Sequence, residues 1–345
     1  MTIKTLNSTN FNQNNSLNLT KAKINKKDEF YTQYDDIEKE IYSYLEVNKT
    51  LFYNKTILLP CDDPQKSNFT KFFKDNFHKL GLKKIISSSY NTNGKGNVLV
   101  MTKDDITFST LKTNGDFRND EIMQFRNESD FIITNPPFSL FREFIKWCCD
   151  SNKKFAIIGN LNAVGCKDIF PLFKQNKVWF GATISSGDRK FNVPDDYPLQ
   201  ARGFGIDENG GKFIRVKGVR WFVNIEHNNR NKFIELKSME NNIKKNDKLI
   251  KKNAYKRYDN YLAIEIPQTS AIPSDFNGIM GVPITFLDKY NPQQFEILGI
   301  DFYVKDGFLN NLISVSWKGK LDRAYLNNKR LYSRIFIRHN QGVNL

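Results

Sequence analysis

The residues best suited to do chemistry stand together at Asn135-Pro136-Pro137-Phe138, directly after the apolar run Phe131–Thr134. An exocyclic or amide NH2 is a poor nucleophile, because its lone pair is delocalised. The Asn135 side-chain oxygen and the Pro136 carbonyl can both accept hydrogen bonds from such a group. Two acceptors favour positive charge developing on the nitrogen and hold its lone pair toward an electrophile. Consecutive prolines fix φ at two positions, so the carbonyls stay aimed without ordering cost at reaction time. Phe138 offers a flat face on which an extruded base can stack. Such catalysis works by positioning and electrostatics and needs no covalent intermediate. A plain strand-to-helix turn also opens readily with Asn-Pro. The aromatic in fourth place, the buried strand before it and the amphipathic helix after it favour methylation of an amino group.

That chemistry requires an S-adenosylmethionine site earlier in the chain. The strand Thr56–Pro60 should lead into the cofactor loop, which reads Cys61-Asp62-Asp63-Pro64 and contains no glycine. Asp62 or Asp63 can accept from the donor's ammonium group or its ribose; the alternative is an acidic loop capping the next helix. A second strand in such folds often ends in an acid for the ribose hydroxyls. Here the run is Ser87-Ser88-Ser89-Tyr90, which names no ribose partner. Asp116, in Asn114-Gly115-Asp116-Phe117, sits where a third strand would end. It can accept from the cofactor's exocyclic adenine amine with Phe117 against the ring; a surface turn is the other reading.

The elements that must position these residues follow from the spacing of apolar side chains. Asp35 and Asp36 precede Ile37, Ile41, Tyr44 and Leu45 at helical spacing, with acids in the first turn. Short apolar runs at 56–60, 83–90, 97–102, 129–135 and 153–160 read as strands, the third as a strand or part of a hairpin. Segments 68–80 and 139–149 read as helices, the latter burying Leu140, Phe141, Phe144, Ile145 and Cys148. Alternation of this kind predicts an α/β domain with a largely parallel sheet. The second half reads as β segments at 178–184 and 212–225 joined by polar loops. Residues 241–257 form a basic, Asn-rich stretch without a clear apolar face, and residues 1–27 a basic disordered arm lacking any acid.

The 345 residues give room for about two domains. A content of 39% hydrophobic and 14% aromatic residues excludes a wholly disordered chain. Lys plus Arg number 52 against 37 Asp plus Glu, a formal charge of +15 that suits a polyanion such as DNA or RNA. No window approaches the ~18 consecutive apolar residues of a spanning helix. Cys61, Cys148, Cys149 and Cys166 form no CxxC pair, and His78, His227 and His339 are scattered. The expectation is a reduced, cytoplasmic, metal-free protein with no membrane partner.

Several stretches together resemble the EcoRI-type adenine-specific DNA methyltransferases. They are 28–40 (DEFYTQYDDIEKE), 61–73 (CDDPQKSNFTKFF), 80–90, 115–118 (GDFR), 134–144 (TNPPFSLFREF) and 276–298 (FNGIMGVPITFLDKYNPQQFEIL). The CDDP loop with the GVPITFL block is more specific than NPPF, which many amino methyltransferases share. The resemblance implies S-adenosylmethionine-dependent N6-methylation of a flipped-out adenine in double-stranded DNA, with Asn135 to Phe138 as the catalytic motif. Phe30, Tyr31 and Thr32 look like the FYT segment near the methionine part of the cofactor. Cys61, Asp62, Asp63, Asp116 and Phe117 complete the expected cofactor set. A companion restriction endonuclease and a sufficient monomer are also implied.

The fold expected is α/β: a Rossmann-like S-adenosylmethionine-dependent methyltransferase core over 28–185 and a C-terminal mixed α/β target-recognition region over 186–345, with the possibility that the latter returns strands to the core sheet. Arg and Asn are the usual readers of base edges, and Arg189, Arg202, Arg215, Arg220, Asn253, Lys256 and Arg257 mark the candidate reading region. Residues 244–257 can equally be a disordered loop that orders on DNA. Two competing functions use the same residues: the same chemistry on RNA or protein glutamine, and a non-catalytic DNA-binding relative.

Overall fold

The structure, a computed structural model, describes residues 31–185, 187–193, 203–307 and 309–340. The expectations for the arm 1–27, for Phe30 and for Arg202 lie outside these residues. The first half contains helix α1 (Tyr34–Leu45), strand β1 (Thr56–Leu59), α2 (Asn68–Asp75), β2 (Lys84–Ser88), β3 (Asn97–Thr102), β4 (Ile106–Thr110), α3 (Asp120–Glu128), β5 (Phe131–Thr134), α4 (Phe141–Asp150), β6 (Lys154–Asn160), α5 (Phe170–Lys174) and β7 (Trp179–Phe180). Then follow β8 (Asp188–Asn192), β9 (Phe204–Ile206), β10 (Lys212–Lys217) and β11 (Val219–Val223).

An eight-stranded mixed sheet in the order β4-β3-β2-β1-β5-β6-β11-β7 is the centre of this mixed α/β architecture. Only its middle, β2-β1-β5-β6, is parallel. The expectation of a largely parallel sheet is corrected on both flanks. β3 and β4 add as an antiparallel hairpin, because the connection between them is too short for a crossover. β11 runs antiparallel to both β6 and β7. Of the stretch 178–184, only Trp179–Phe180 is strand.

The parallel strands are buried along most of their length, with apolar residues at their centres, because both sheet faces are covered. Ile57, Leu59, Ile85, Ile133 and Ile158 face α1 and α2, where Ile37, Ile41, Tyr44, Phe69, Phe72 and Phe73 complete one core. Leu58, Ile86, Ile132 and Ile157 face the other way, against Phe141, Phe144 and Ile145 of α4 and Phe170 and Phe173 of α5.

The last third supplies α6 (Met239–Lys245), α7 (Lys248–Lys251), β12 (Ile264–Glu265), β13 (Met280–Pro283), β14 (Phe295–Ile300), β15 (Tyr325–Leu326), β16 (Lys329–Arg330) and β17 (Arg334–His339). A four-stranded sheet, β12-β13-β17-β14, sends Met280, Val282, Phe295 and Ile335 into the same core as α4 and α5. The two halves of the chain therefore share buried surface. The basic stretch 241–257, read as lacking a clear apolar face, contains parts of two short helices. Ser238 caps α6 by accepting from the Asn241 N–H at 3.2 Å, and Leu249 of α7 is buried. A single apolar anchor and a cap are too little for a periodic signal.

A buried carboxylate links the first helix to this frame. Glu40 accepts from the Tyr44 hydroxyl at 2.7 Å, the Ala182 N–H at 2.8 Å, the Thr183 N–H at 2.9 Å and the Thr183 hydroxyl. Gly181 permits the approach, since a Cβ there would lie 2.1 Å from a Glu40 oxygen. Glu40→Ala strands these donors in a dry interior, so it should lower stability by about 3 kcal/mol, read as a lower urea midpoint. An unchanged midpoint would show that water replaces the carboxylate.

Candidate active site

Because β1, β5 and β2 run parallel, Leu59, Thr134 and Ser88 end at one edge of the sheet. Ligand sites of open α/β sheets gather at such an edge. The segments leaving these strands line a cavity of about 430 Å³. Its walls include Tyr31 and Thr32, Cys61, Asp62 and Asp63, Ser89 and Tyr90, Asp116 and Phe117, and Asn135 and Pro137.

Asp62 is the knot of this edge. It is 4% exposed. Its two carboxyl oxygens accept from the Ser67 hydroxyl at 2.6 Å and from the Thr134 hydroxyl at 2.5 Å. Its backbone N–H donates to the Ser88 carbonyl at 3.0 Å, and its carbonyl accepts from the Ser87 hydroxyl at 2.9 Å. Ser67 is also the N-cap of α2, accepting from the Phe69 N–H at 3.0 Å. One residue thus joins the ends of β1, β2 and β5 to the start of α2. Burial pushes the Asp62 carboxyl up to about 7, against the lowering effect of the bonds from Ser67 and Thr134.

Asp63 has a local task as well. Its carboxylate accepts from the Gln65 and Lys66 N–H groups at 2.9 and 3.0 Å. The acidic loop therefore both closes a turn before α2 and lines the cavity. Cys61 lines it too and is half-buried.

Thr134 hands the chain to Asn135, which is half-buried at the cavity wall. Pro136 is buried behind it, and Pro137 returns to the wall. The Pro137 carbonyl accepts from the Leu140 N–H at 2.9 Å, closing the short turn into α4. Phe138 is half-buried and is not among the cavity walls; its ring meets Phe191 of β8 edge-on at 6.4 Å. Next to Phe191, Asn192 exchanges backbone hydrogen bonds with Tyr31 at 2.8 and 3.1 Å. The N-terminal segment is thereby carried to the same edge. Thr32 is held by its carbonyl, which accepts from the Asn68 side chain at 2.7 Å, while its buried hydroxyl has no partner among the described residues.

The fourth wall is Gly115 to Arg118. Gly115 adopts φ +81°, and a Cβ there would lie 2.1 Å from the Ser89 carbonyl oxygen; a side chain would close this corner. Asp116 comes six residues after β4, not at the end of a parallel third strand. Arg118 grips it through Nε at 2.8 Å and Nη2 at 2.6 Å, and reaches Glu143 of α4 at 3.0 Å. Phe117 is buried against Phe144 and Trp147, with ring centroids 5.0 and 5.7 Å apart.

The structure gathers Tyr31, Thr32, Cys61, Asp62, Asp63, Asp116, Phe117, Asn135 and Pro137 around one space. Sequence reasoning missed Ser67, Thr134, Arg118 and Glu143. Ser67 carries an N-cap signal, whereas Thr134 inside an apolar run carries none. One candidate DNA reader is corrected. Arg220 is 3% exposed and forms a buried pair with Asp288 at 2.7 and 3.0 Å, so it braces the fold and cannot reach a base. Arg215 lies over the Phe213 ring on β10, and Lys256 and Arg257 are exposed after α7.

Residues 18–340 match the family described as adenine-specific methyltransferase EcoRI. The chain is 39% identical over 333 residues to the type II methyltransferase M.EcoRI of Escherichia coli, covering 91% of this chain and 97% of that protein. It is 37% identical to the type II methyltransferase M.MgeORF184P of Mycoplasma genitalium, covering 93% and 98%, and 34% identical to M.MpnI of Mycoplasma pneumoniae, covering 94% and 98%. No solved structure matches the chain.

The raised Asp62 carboxyl sets a pH dependence. A group that binds its proton more tightly folded than unfolded stabilises most while protonated, and that contribution is lost as pH rises from about 4 through its folded value near 7. Asp62→Asn cannot ionise. The stability difference between wild type and Asp62→Asn should therefore shift in the variant's favour by a few kcal/mol between about pH 5 and about pH 8. Denaturant midpoints across that range measure it; a pH-independent difference would show that Asp62 keeps an ordinary carboxyl in the fold.

Proposed function

Because the chain belongs to the EcoRI-type adenine-specific methyltransferase family, we propose that the cavity at the carboxyl edge of its central strands is where S-adenosylmethionine and a flipped-out adenine meet. The protein is an adenine-specific DNA methyltransferase of the type II, restriction-modification kind. The observation that carries the site assignment is the placement of Asn135 and Pro137 in the same cavity wall as the Cys61-Asp62-Asp63 loop.

The walls suit the proposed cofactor. The cavity is of small-molecule size. It presents carboxylates at Asp63 and Asp116 for ammonium, ribose or adenine N–H groups, and Lys66 for a carboxylate. The buried Thr32 hydroxyl at its wall is a further polar group for a ligand to meet. Cys61, Asp62, Asp63, Asp116 and Phe117, with Tyr31 and Thr32, would hold the cofactor, which when bound supplies an electrophilic methyl group. Phe30 joins this set by resemblance.

The chain's own part is to bind, aim and polarise. Asn135 accepts from the adenine N6 amine together with the Pro136 carbonyl. Developing positive charge on that nitrogen is thereby stabilised in a site shielded from water. Phe138, beside Phe191 on the recognition side of the turn, packs against the extruded base. The order of the parallel strands, with β11 returning antiparallel beside β6, supports a Rossmann-like methyltransferase core. In this reading the core spans 28–185, and 186–345 is the target-recognition region that lends β11 to the core sheet. Double-stranded DNA is the substrate, a monomer suffices, and a companion restriction endonuclease acts on the same sequence. No helix among the described residues is long and apolar enough to cross a membrane.

The test is methyl transfer from labelled S-adenosylmethionine to duplex DNA from a methylation-free host, followed by digestion to nucleosides. The label should appear in N6-methyladenine; label in a methylcytosine, or none, overturns the proposal. Asn135→Ala should slow transfer roughly 100- to 1,000-fold, the usual loss for one electrostatic stabiliser of a reacting group, while calorimetric binding of S-adenosylmethionine stays unchanged. Full activity in this variant would remove Asn135 from its role.

A further inference from the structure

Residues 314–332 combine positive charge with exposed apolar side chains outside the candidate readers. This segment carries five basic residues (Lys318, Lys320, Arg323, Lys329, Arg330) and one acid, Asp322. At its two ends stand the two most exposed apolar side chains among the described residues, Val315 at 95% and Tyr332 at 90%. Exposure of an aromatic ring to that degree has no packing purpose in the fold.

The segment is nevertheless rigidly built. β15 and β16 pair antiparallel, Tyr325 with Arg330 and Leu326 with Lys329. The two-residue loop between them, Asn327-Asn328, has φ 51° and 59°, as the tight hairpin turn with two left-handed residues requires. Asp259 clamps the loop by accepting from the Asn327 and Asn328 N–H groups at 3.2 and 2.7 Å. Ala324 and Leu326 are buried beneath it. Lys318, Lys320 and Lys329 are exposed on this support.

A chain of contacts links the segment to the helix that follows the Asn135 turn. Arg142, near the start of α4 and just past the Asn135 turn, pairs with Asp168 at 3.0 Å. The loop holding Asp168 follows the carboxyl end of β6, and its Gly165 carbonyl accepts from the Tyr303 hydroxyl. Neighbouring Phe302 lies under the Arg323 guanidinium.

We infer that residues 314–332 form a duplex-binding finger. Lys318, Lys320 and Lys329 engage phosphates, and the Tyr332 ring stacks into or against base steps of the bound duplex. The complementarity is one of charge and of shape: a preformed basic hairpin spends no ordering entropy on binding, and an exposed ring next to it provides the apolar wedge that kinked or opened duplexes accept. The inference rests on the methyltransferase reading above and adds the surface by which the substrate is held.

The test titrates a fluorescein-labelled DNA duplex into the full chain at several salt concentrations. The triple variant Lys318→Ala, Lys320→Ala, Lys329→Ala should bind more weakly and reduce the slope of log affinity against log salt by about 2 to 3, near 0.9 per lost phosphate contact. Tyr332→Ala should weaken binding roughly tenfold with the slope unchanged, and Tyr332→Phe should restore it, since stacking needs the ring and not the hydroxyl. Calorimetric binding of S-adenosylmethionine should match wild type in all variants, which also shows that they fold. Wild-type affinity and slope in the triple variant overturn the finger alone. A wild-type chain that binds S-adenosylmethionine but has no affinity for duplex DNA overturns the substrate reading beneath it.

Discussion

The active edge depends on one buried carboxyl. Asp62 accepts from Ser67 and Thr134 with its two oxygens and pairs by its backbone with the end of β2. That residue ties the loop after β1, the start of α2 and the turn after β5 to one another. The turn at Asn135 is one residue from Thr134, so the bond that orders the loop after β1 also orders the turn after β5. The cost is a carboxyl held in a dry place, which is why its proton is retained up to about 7. Catalysis by aimed acceptors gains most when the acceptors do not have to reorganise, and a shared anchor is a direct way to achieve that.

The second constraint is the shared core. Strands from the last third bury Met280, Val282, Phe295 and Ile335 against the same cluster as α4 and α5, and β11 from the middle of the chain completes the large sheet. Arg220 at the start of β11 is spent on Asp288 in the second half. The central sheet and the strands of the last third are therefore held in fixed relation by apolar packing and a buried ion pair. The formal charge of +15 then has a physical meaning. Part of it is internal bracing, as at Arg220, and part is displayed on stiff supports such as the hairpin at Lys329.

What the sequence made legible is what periodicity and local chemistry encode. The strands at Thr56–Leu59, Phe131–Thr134 and Lys154–Asn160 are continuous apolar runs, and the helix at Phe141–Asp150 repeats at helical spacing; each lies where its pattern predicts. The candidate residues Asp62 and Asn135 come together because each follows the carboxyl end of a parallel strand, and Asp116 reaches the same cavity through the loop after β4. Long-range facts were not legible. Nothing in the run Phe131–Thr134 says that the hydroxyl of its last residue meets a carboxyl 72 positions earlier. A hairpin at β3 and a strand returned to the core sheet were open alternatives in the sequence, and only the pairing partners decide them. Arg220 looked like a DNA reader because an arginine's burial is decided by a partner 68 residues away. Residues 241–257 showed no clear apolar face because one leucine and one serine cap define the local helices.

The central relation is the coupling between Asp62 and the turn after β5. A double-mutant cycle on the single-turnover methyl-transfer rate, using Asp62→Asn, Thr134→Val and the pair, measures it. If the bond between them holds the Asn135 turn in place, the second substitution should add little to the first, giving a coupling of about 1 kcal/mol or more. Losses that simply add would show that the two residues act independently, and would contradict the proposal that one buried carboxyl organises the site.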